Sequence, residues 1–172
     1  MKKIILPFIA LIVLVSGCAT VQSIIKSTFP YTATLVIPAG TKNNVVQVTT
    51  STASSFDQIF GNQSGTDYIR DVRVTSVKLD ASNPSTQNLG IFKTVKLFLV
   101  NGSSEVMVAS RNDVSENIGN NLVLDIDNSR FVDEYIKGSN LRMRMEYTLR
   151  NSLTSDVSVR AAINFSSSPN TK

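Results

Sequence analysis

The sequence predicts an all-β protein: a single antiparallel β-sandwich of immunoglobulin-like or jelly-roll-like type with two short helices, with an open β-barrel as the alternative. The first observation behind it is a series of short runs rich in β-branched and aromatic residues, separated by Gly, Pro and Asn. The second is that the last two runs alternate apolar and polar residues, as strands with one buried face do. Series of this kind are typical of sandwiches and barrels.

The first half of the chain divides into strands at its turn residues. Strands are predicted over 31–37 and 45–50. A helix is predicted over 54–61, because its apolar residues share one helical face and a glycine ends the run. The next strand, 68–79, shifts its apolar residues from one face to the other, which predicts a bulge near Thr75 and Ser76.

The second half begins with a hairpin. Strands over 91–100 and 105–109 flank Asn101-Gly102, a pair that supplies the positive φ angles of a tight turn. A polar loop over 111–121 and a strand over 122–126 follow. A second short helix is predicted over 129–137.

The last predicted hairpin joins 141–149 to 157–165, each with strictly alternating apolar residues. Pairing the apolar positions face to face sets Leu149 opposite Val157 and Glu146 opposite Arg160. The polar residues after this hairpin predict a flexible tail.

The first eighteen residues differ from this pattern. Lys2 and Lys3 precede an uncharged apolar stretch, which ends in Val15-Ser16-Gly17-Cys18. A basic start, a short apolar stretch and small residues at a cleavage site are typical of a secretory signal, and the stretch is shorter than the ~20 residues of a membrane helix. The four residues ending at Cys18 resemble the bacterial lipobox. The start of the chain is therefore similar to that of bacterial lipoproteins, over residues 1–18 only.

This resemblance implies cleavage between Gly17 and Cys18 and a diacylglycerol on the Cys18 thiol. Cys18 is the only cysteine of the chain, so it has no disulfide partner. The predicted organisation is a signal peptide (1–17), a lipidated N-terminus and short tether (18–28), a β-sandwich domain (29–166) and a flexible tail (167–172). Lipoproteins of this class with Asp after the cysteine stay at the inner membrane. Ala19 follows here, which implies the outer membrane, facing the periplasm.

Composition restricts the chemistry. The chain contains no histidine, the usual general base and commonest metal ligand. Without histidine or a free thiol, the sequence predicts no catalytic residues, no metal site and no cofactor. Two of its 17 basic residues lie in the signal, against 13 acidic residues in the chain. The mature protein is therefore nearly neutral, and a nucleic-acid partner is not expected.

Two groups of charged residues were weighed as binding sites. Arg142, Arg144 and Arg160 fall on the polar face of the predicted last hairpin, where they could meet lipid phosphates or an acidic partner. A solvated face that protects an edge strand is the commoner role of such a row. The acidic residues between Asp125 and Glu134 suggest a calcium loop, but they do not fit an EF-hand register.

The sequence therefore predicts a cell-envelope lipoprotein that is held at a membrane by its N-terminal lipid and works as a non-catalytic binding or structural module. Its partner would be an envelope protein or a glycan. The alternatives are a surface glycan-binding or adhesin-type module and, less in keeping with the composition, a hydrolase that uses two carboxylates.

Overall fold

The computed structural model describes residues 29–56 and 65–170. Within these stretches no helix is long and apolar enough to cross a membrane. Two 3-10 turns, Gly65–Tyr68 and Leu89–Ile91, accompany the strands and one helix. In chain order these are β1 (Phe29–Ile37), β2 (Val46–Thr50), β3 (Ile69–Asn83), β4 (Phe92–Asn101), β5 (Ser104–Arg111), β6 (Asn121–Ile126), α1 (Asp133–Ile136), β7 (Leu141–Leu149) and β8 (Val157–Pro169).

All eight strands belong to one antiparallel sheet in the order β1-β8-β3-β6-β5-β4-β7-β2. Strand β6 joins its two halves, because the first part of β6 pairs with β3 and the last part with β5. The first and last strands of this order meet where the sheet returns on itself: the Thr49 hydroxyl of β2 donates a 2.8 Å hydrogen bond to the Val36 carbonyl of β1. The all-β antiparallel prediction is confirmed, and the sheet is nearly closed and barrel-like.

The direction of each strand determines at which of the two ends of the sheet each connecting loop lies. We call the end where β1 begins and β8 ends the proximal pole, since Phe29 pairs with Phe165 there. At the opposite end, the distal pole, Ile37 pairs with Val157. The β1–β2, β3–β4, β5–β6 and β7–β8 connections all lie at the distal pole. Both ends of the described chain therefore leave the sheet from the proximal pole.

Alternation along the strands builds the core, as the sequence predicts. Phe56, which precedes the undescribed stretch, packs edge to face on Phe165 with ring centroids 5.3 Å apart, and Phe92 packs on Tyr147 at 5.7 Å. The buried residues of β7 and β8 are Leu141, Met143, Met145, Tyr147, Leu149, Val157, Val159, Ala161, Ile163 and Phe165.

The predicted hairpin of the last two strands is wrong. β7 pairs with β2 and β4, whereas β8 pairs with β1 and β3. Glu146 therefore lies beside Lys96 and Val48, and Arg160 lies beside Thr34 and Asp80. The alternation was correct but does not determine the partner, because two strands with apolar faces can meet across a core as well as side by side.

Two local predictions concern the shape of single strands. The bulge near Thr75 and Ser76 is confirmed, since the register of β3 against β8 shifts between Val74 and Ser76. The β4–β5 hairpin forms, but its turn lies one residue later than expected: Asn101 pairs with Ser104, and Gly102 has a φ of +60°. Glycine at the first central position is typical of a type II′ turn, so Asn101 need not adopt a positive φ.

The predicted helices are shorter than expected or lie outside the described residues. Residues 57–61 of the first lie outside the described residues, and Ser54 forms a β-bridge with Leu141. The second is the single turn α1, which begins at Asp133 rather than at residue 129. One Asp127 carboxylate oxygen accepts hydrogen bonds from the Ser129 amide and hydroxyl, and this local turn competes with the helix there.

The last strand extends beyond residue 165 into the segment predicted as a tail. β8 continues to Pro169, which pairs with Ile69 at the start of β3. The Asn170 amide nitrogen donates to the Tyr68 carbonyl at 2.8 Å. The long β3 provides backbone partners that composition alone could not indicate.

Candidate functional site

The four connections at the distal pole surround a polar cleft of about 540 Å³. This volume lies within the ~300–1,000 Å³ range of ligand pockets. Each connection contributes to the wall. Besides the 3-10 turn of the β3–β4 connection, the cleft is lined by Asn44, Lys93, Glu116, Asn117, Arg150 and Asn151.

Asn88 holds the β3–β4 and β5–β6 connections together. Its side-chain oxygen accepts hydrogen bonds from the Gly90 amide at 2.9 Å and the Gly119 amide at 3.1 Å. Its side-chain nitrogen donates to the Glu116 carbonyl at 2.7 Å. A short amide side chain before a helical turn is a typical cap, and here the same side chain also fixes the opposite loop.

Gly90 allows these two connections to cross closely. It is buried, and a Cβ atom on it would lie 2.0 Å from the Glu116 carbonyl oxygen. That distance is far below van der Waals contact, so a side chain at position 90 would displace the backbone of one connection. The position requires glycine because of the space available.

Arg150 connects the end of β7 to the same loop. Its guanidinium Nη2 donates to the Val114 carbonyl, and its Nη1 lies 3.7 Å from a Glu116 carboxylate oxygen. Its backbone amide donates to the Ile91 carbonyl at 2.8 Å. The Nε atom is buried and has no hydrogen-bond partner. Arg150 therefore positions the wall, and most of its donors are already committed or enclosed.

Other polar groups of the cleft have no partner of their own. Among the described residues, no hydrogen bond or ion pair involves the side chains of Lys93, Asn117 or Asn151, and all three side chains are exposed. The charged lining residues are Lys93, Arg150 and Glu116, so the cleft has one excess positive charge. Free amides beside an unpaired ammonium can bind a polar ligand, but they provide no nucleophile and base in contact.

The lipidation residues of the sequence prediction, Gly17 and Cys18, lie outside the described residues. The structure does not bring the three predicted arginines together. Arg142 and Arg144 are on β7, whereas Arg160 is on β8, and the two strands are not neighbours in the sheet. Arg160 lies 3.5 Å from an Asp80 carboxylate oxygen.

Arg144 is the most enclosed of these arginines. Its Nε donates to Glu105 at 2.8 Å and its Nη1 to Glu146 at 2.8 Å, and its guanidinium lies over the Phe98 ring. Burial lowers the pKa of this guanidinium. The two carboxylates together raise it by more, so its pKa lies above the ordinary value. Arg142 and Arg144 line a smaller pocket of about 300 Å³. Glu105 and Glu146 do not belong to its lining, but they offset the charge of Arg144 through their hydrogen bonds to it.

The acidic residues considered for calcium have other partners. Asp125 pairs with Arg111 at 3.1 Å, Asp127 accepts from Ser129, and a carboxylate oxygen of Asp133 accepts from the Val72 amide at 3.0 Å. Over residues 29–56 and 65–170 no cluster of three or more potential metal ligands is present.

The residues of the distal cleft were not identified from the sequence. Apart from Lys93 at the start of β4, they lie in four connections that are far apart along the chain. Asparagine in such connections is also what ordinary turns contain. The sequence pattern of the Asn-rich stretch over 111–121 predicts only a polar loop. A clue was present in its length, since long loops of compact domains are often functional.

Comparisons with known proteins add no functional assignment. No family model and no curated protein matches the sequence. Among solved structures, an empty head of Turnip Yellow Mosaic Virus gives a TM-score of 0.29 at 9% identity, covering 85% of this chain and 84% of that chain. Tomato Aspermy Virus gives a TM-score of 0.34 at 11% identity, covering 83% and 80%. These TM-scores are too low to support any inference.

Proposed function

We propose that the protein is a membrane-anchored lipoprotein of the cell envelope that acts as a non-catalytic binding or structural module. The observation that supports it best is the position of Phe29 at the proximal pole, opposite the cleft. A lipid on Cys18 would hold that pole near the membrane through about ten residues, which reach at most ~35 Å. The four distal connections would then face away from the membrane.

A binding role suits the cleft better than catalysis does. Among the described residues, Glu116 is the single carboxylate that lines the cleft, whereas hydrolysis of glycosides uses a pair of carboxylates. The sequence provides no histidine to act as a base. The hydrolase alternative therefore has no support at this site, and the glycan-binding alternative remains compatible with its exposed amides.

For the location we propose the outer membrane with the domain in the periplasm. This rests on the resemblance of residues 15–18 to the lipobox and on Ala19 after the cysteine. The partners would be the membrane, through the lipid, and an envelope protein or glycan at the distal pole. Labelling intact cells with a membrane-impermeant reagent tests the facing, since a periplasmic domain would stay unlabelled until the cells are opened.

For the architecture we propose the open-barrel description over the two-layer sandwich. Two features support it: β6 pairs with strands of both halves, and the Thr49 hydroxyl reaches β1 at the other edge. In a sandwich of two separate sheets, β6 would pair with strands of one sheet only, and the hydrogen bond between β2 and β1 would be absent.

The anchor is tested by Cys18→Ser in the full chain. The acylated atom is the thiol sulfur, so the variant should lose all label when cells are fed a fatty acid analogue and should leave the membrane fraction or accumulate as precursor. Ser16→Ala is a matched control, because it keeps a small residue at the cleavage site and should label normally. Undiminished label in Cys18→Ser would refute the lipoprotein proposal.

A further inference from the structure

We infer that the distal cleft binds a small monoanionic ligand rich in hydroxyl groups, of the acidic-saccharide type, with Lys93 as the residue that pairs with its carboxylate. The inference rests on the binding half of the proposed function but not on the lipid anchor.

The charge of the ligand is inferred from which basic side chain of the cleft has no acidic partner among the described residues. Arg150 shares its guanidinium between the Val114 carbonyl and the Glu116 carboxylate, so little of its charge is available to a ligand. Lys93 has no acidic partner among the described residues and is exposed at the start of β4. One uncompensated ammonium suits a single carboxylate better than a doubly charged phosphate.

The asparagine side chains of the cleft indicate a ligand that carries hydroxyl groups. An asparagine side chain offers two donors and one acceptor oxygen, which matches hydroxyl groups because these also both donate and accept. Among the described residues, the side chains of Asn117 and Asn151 have no hydrogen-bond partner, and they lie on two different connections of the cleft. Within residues 29–56 and 65–170 no aromatic side chain lines the cleft, so recognition would depend on hydrogen bonds and charge rather than on stacking.

The wall that carries these groups is fixed before any ligand arrives. Asn88 makes two hydrogen bonds to the β5–β6 connection, Gly90 lies in close contact with the Glu116 backbone, and the Leu89 amide donates to the Gly119 carbonyl at 2.7 Å. A site held by packed and hydrogen-bonded neighbours loses little conformational entropy on binding. Rigidity of this kind is expected of a binding site and is not required of a solvated loop.

The test is a titration of the isotopically labelled full chain in detergent, followed by amide chemical shifts, with three probes: glucuronate, glucose and inorganic phosphate. Glucose presents the same ring without the carboxylate, and phosphate presents charge without the ring. We expect saturable shifts with glucuronate that map to the distal connections. Glucose should bind at least about tenfold more weakly, because it loses one charged hydrogen bond, and phosphate at least about tenfold more weakly, because it loses the hydrogen bonds of the ring hydroxyls to the amides.

The variant Lys93→Ala should weaken glucuronate binding about tenfold, the amount expected for one charged hydrogen bond. Lys93→Arg should restore most of it. Lys96→Ala removes an exposed lysine of the same strand outside the cleft and should bind normally. Equal binding of glucose or phosphate, unchanged binding by Lys93→Ala, or no shifts with glucuronate would each overturn the inference. None of these results depends on lipidation, so failure here and failure of the anchor are separable.

Discussion

Replacing Gly90 by alanine tests the framework of the cleft. The added Cβ would lie 2.0 Å from the carbonyl oxygen and 2.4 Å from the carbonyl carbon of Glu116, so the β5–β6 connection must move. That movement would break the hydrogen bonds from Asn88 to Glu116 and from Leu89 and Gly119 across the contact. At about 0.5–1.5 kcal/mol each, three such bonds predict a loss of about 1.5–4.5 kcal/mol in the free energy of unfolding.

The measurement is urea denaturation of Gly90→Ala followed by circular dichroism, because the chain has no tryptophan to report by fluorescence. Ser115→Ala is the matched control. It adds no atom to the same connection and changes an exposed residue, so its effect should stay within about 0.5 kcal/mol. A loss for Gly90→Ala as small as that of the control would mean that the two connections do not touch as described.

Further predictions concern the sheet. Tyr147→Ala should cost about 3–5 kcal/mol in unfolding free energy, because it removes a buried ring packed on Phe92, whereas Glu146→Ala, which breaks a partly exposed ion pair with Arg144, should cost at most about 1 kcal/mol. Comparable losses would contradict the assigned faces of β7. Burial raises the pKa of the Asp80 carboxyl. Hydrogen bonds from Lys78, Asn121 and Arg160 together lower it by more, so its pKa lies below the ordinary 3.8. The stability it contributes is therefore present above pH 3.8 and is lost as the pH falls through the lower folded pKa. Denaturation of Asp80→Asn should show a weaker loss of stability in acid than the unmodified chain, and parallel pH curves would contradict this.

The sequence was informative where a local rule applies. The alternation in β7 and β8 identified their buried residues, and the change of face in β3 located the bulge at Ser76. Each depends only on the side-chain period of two in a strand. Strand pairing is different, because it depends on which distant segment completes the core. The predicted hairpin was wrong for that reason. The prediction that Arg144 and Arg160 share one face of it was therefore wrong as well.

The cleft could not be predicted for a similar reason. In the sequence, Asn88 looks like an ordinary turn residue and Arg150 like an ordinary cation at the end of a strand. Their roles appear only when the fold places Glu116 against Asn88 and Val114 against Arg150. Asn44 and Asn151 line the same cleft from opposite halves of the chain. The antiparallel order that brings these connections to one pole is a property of the whole sheet. No spacing in the sequence encodes it.

The central claim, a lipid anchor at one pole and a binding cleft at the other, is tested most directly by distance from a membrane. Cys18 is the only cysteine and would be acylated, so a cysteine introduced elsewhere would be the only free thiol. Ser103→Cys places a fluorophore in the β4–β5 turn at the proximal pole, and Asn151→Cys places one at the cleft.

The nine residues of β7 between the two poles span ~30 Å. Each acylated, labelled chain would be bound to vesicles that carry a nitroxide-quencher lipid. We predict clearly stronger quenching of the fluorophore at position 103 than of the one at position 151. Equal quenching at the two positions, stronger quenching at the cleft, or no association with the vesicles would contradict the account.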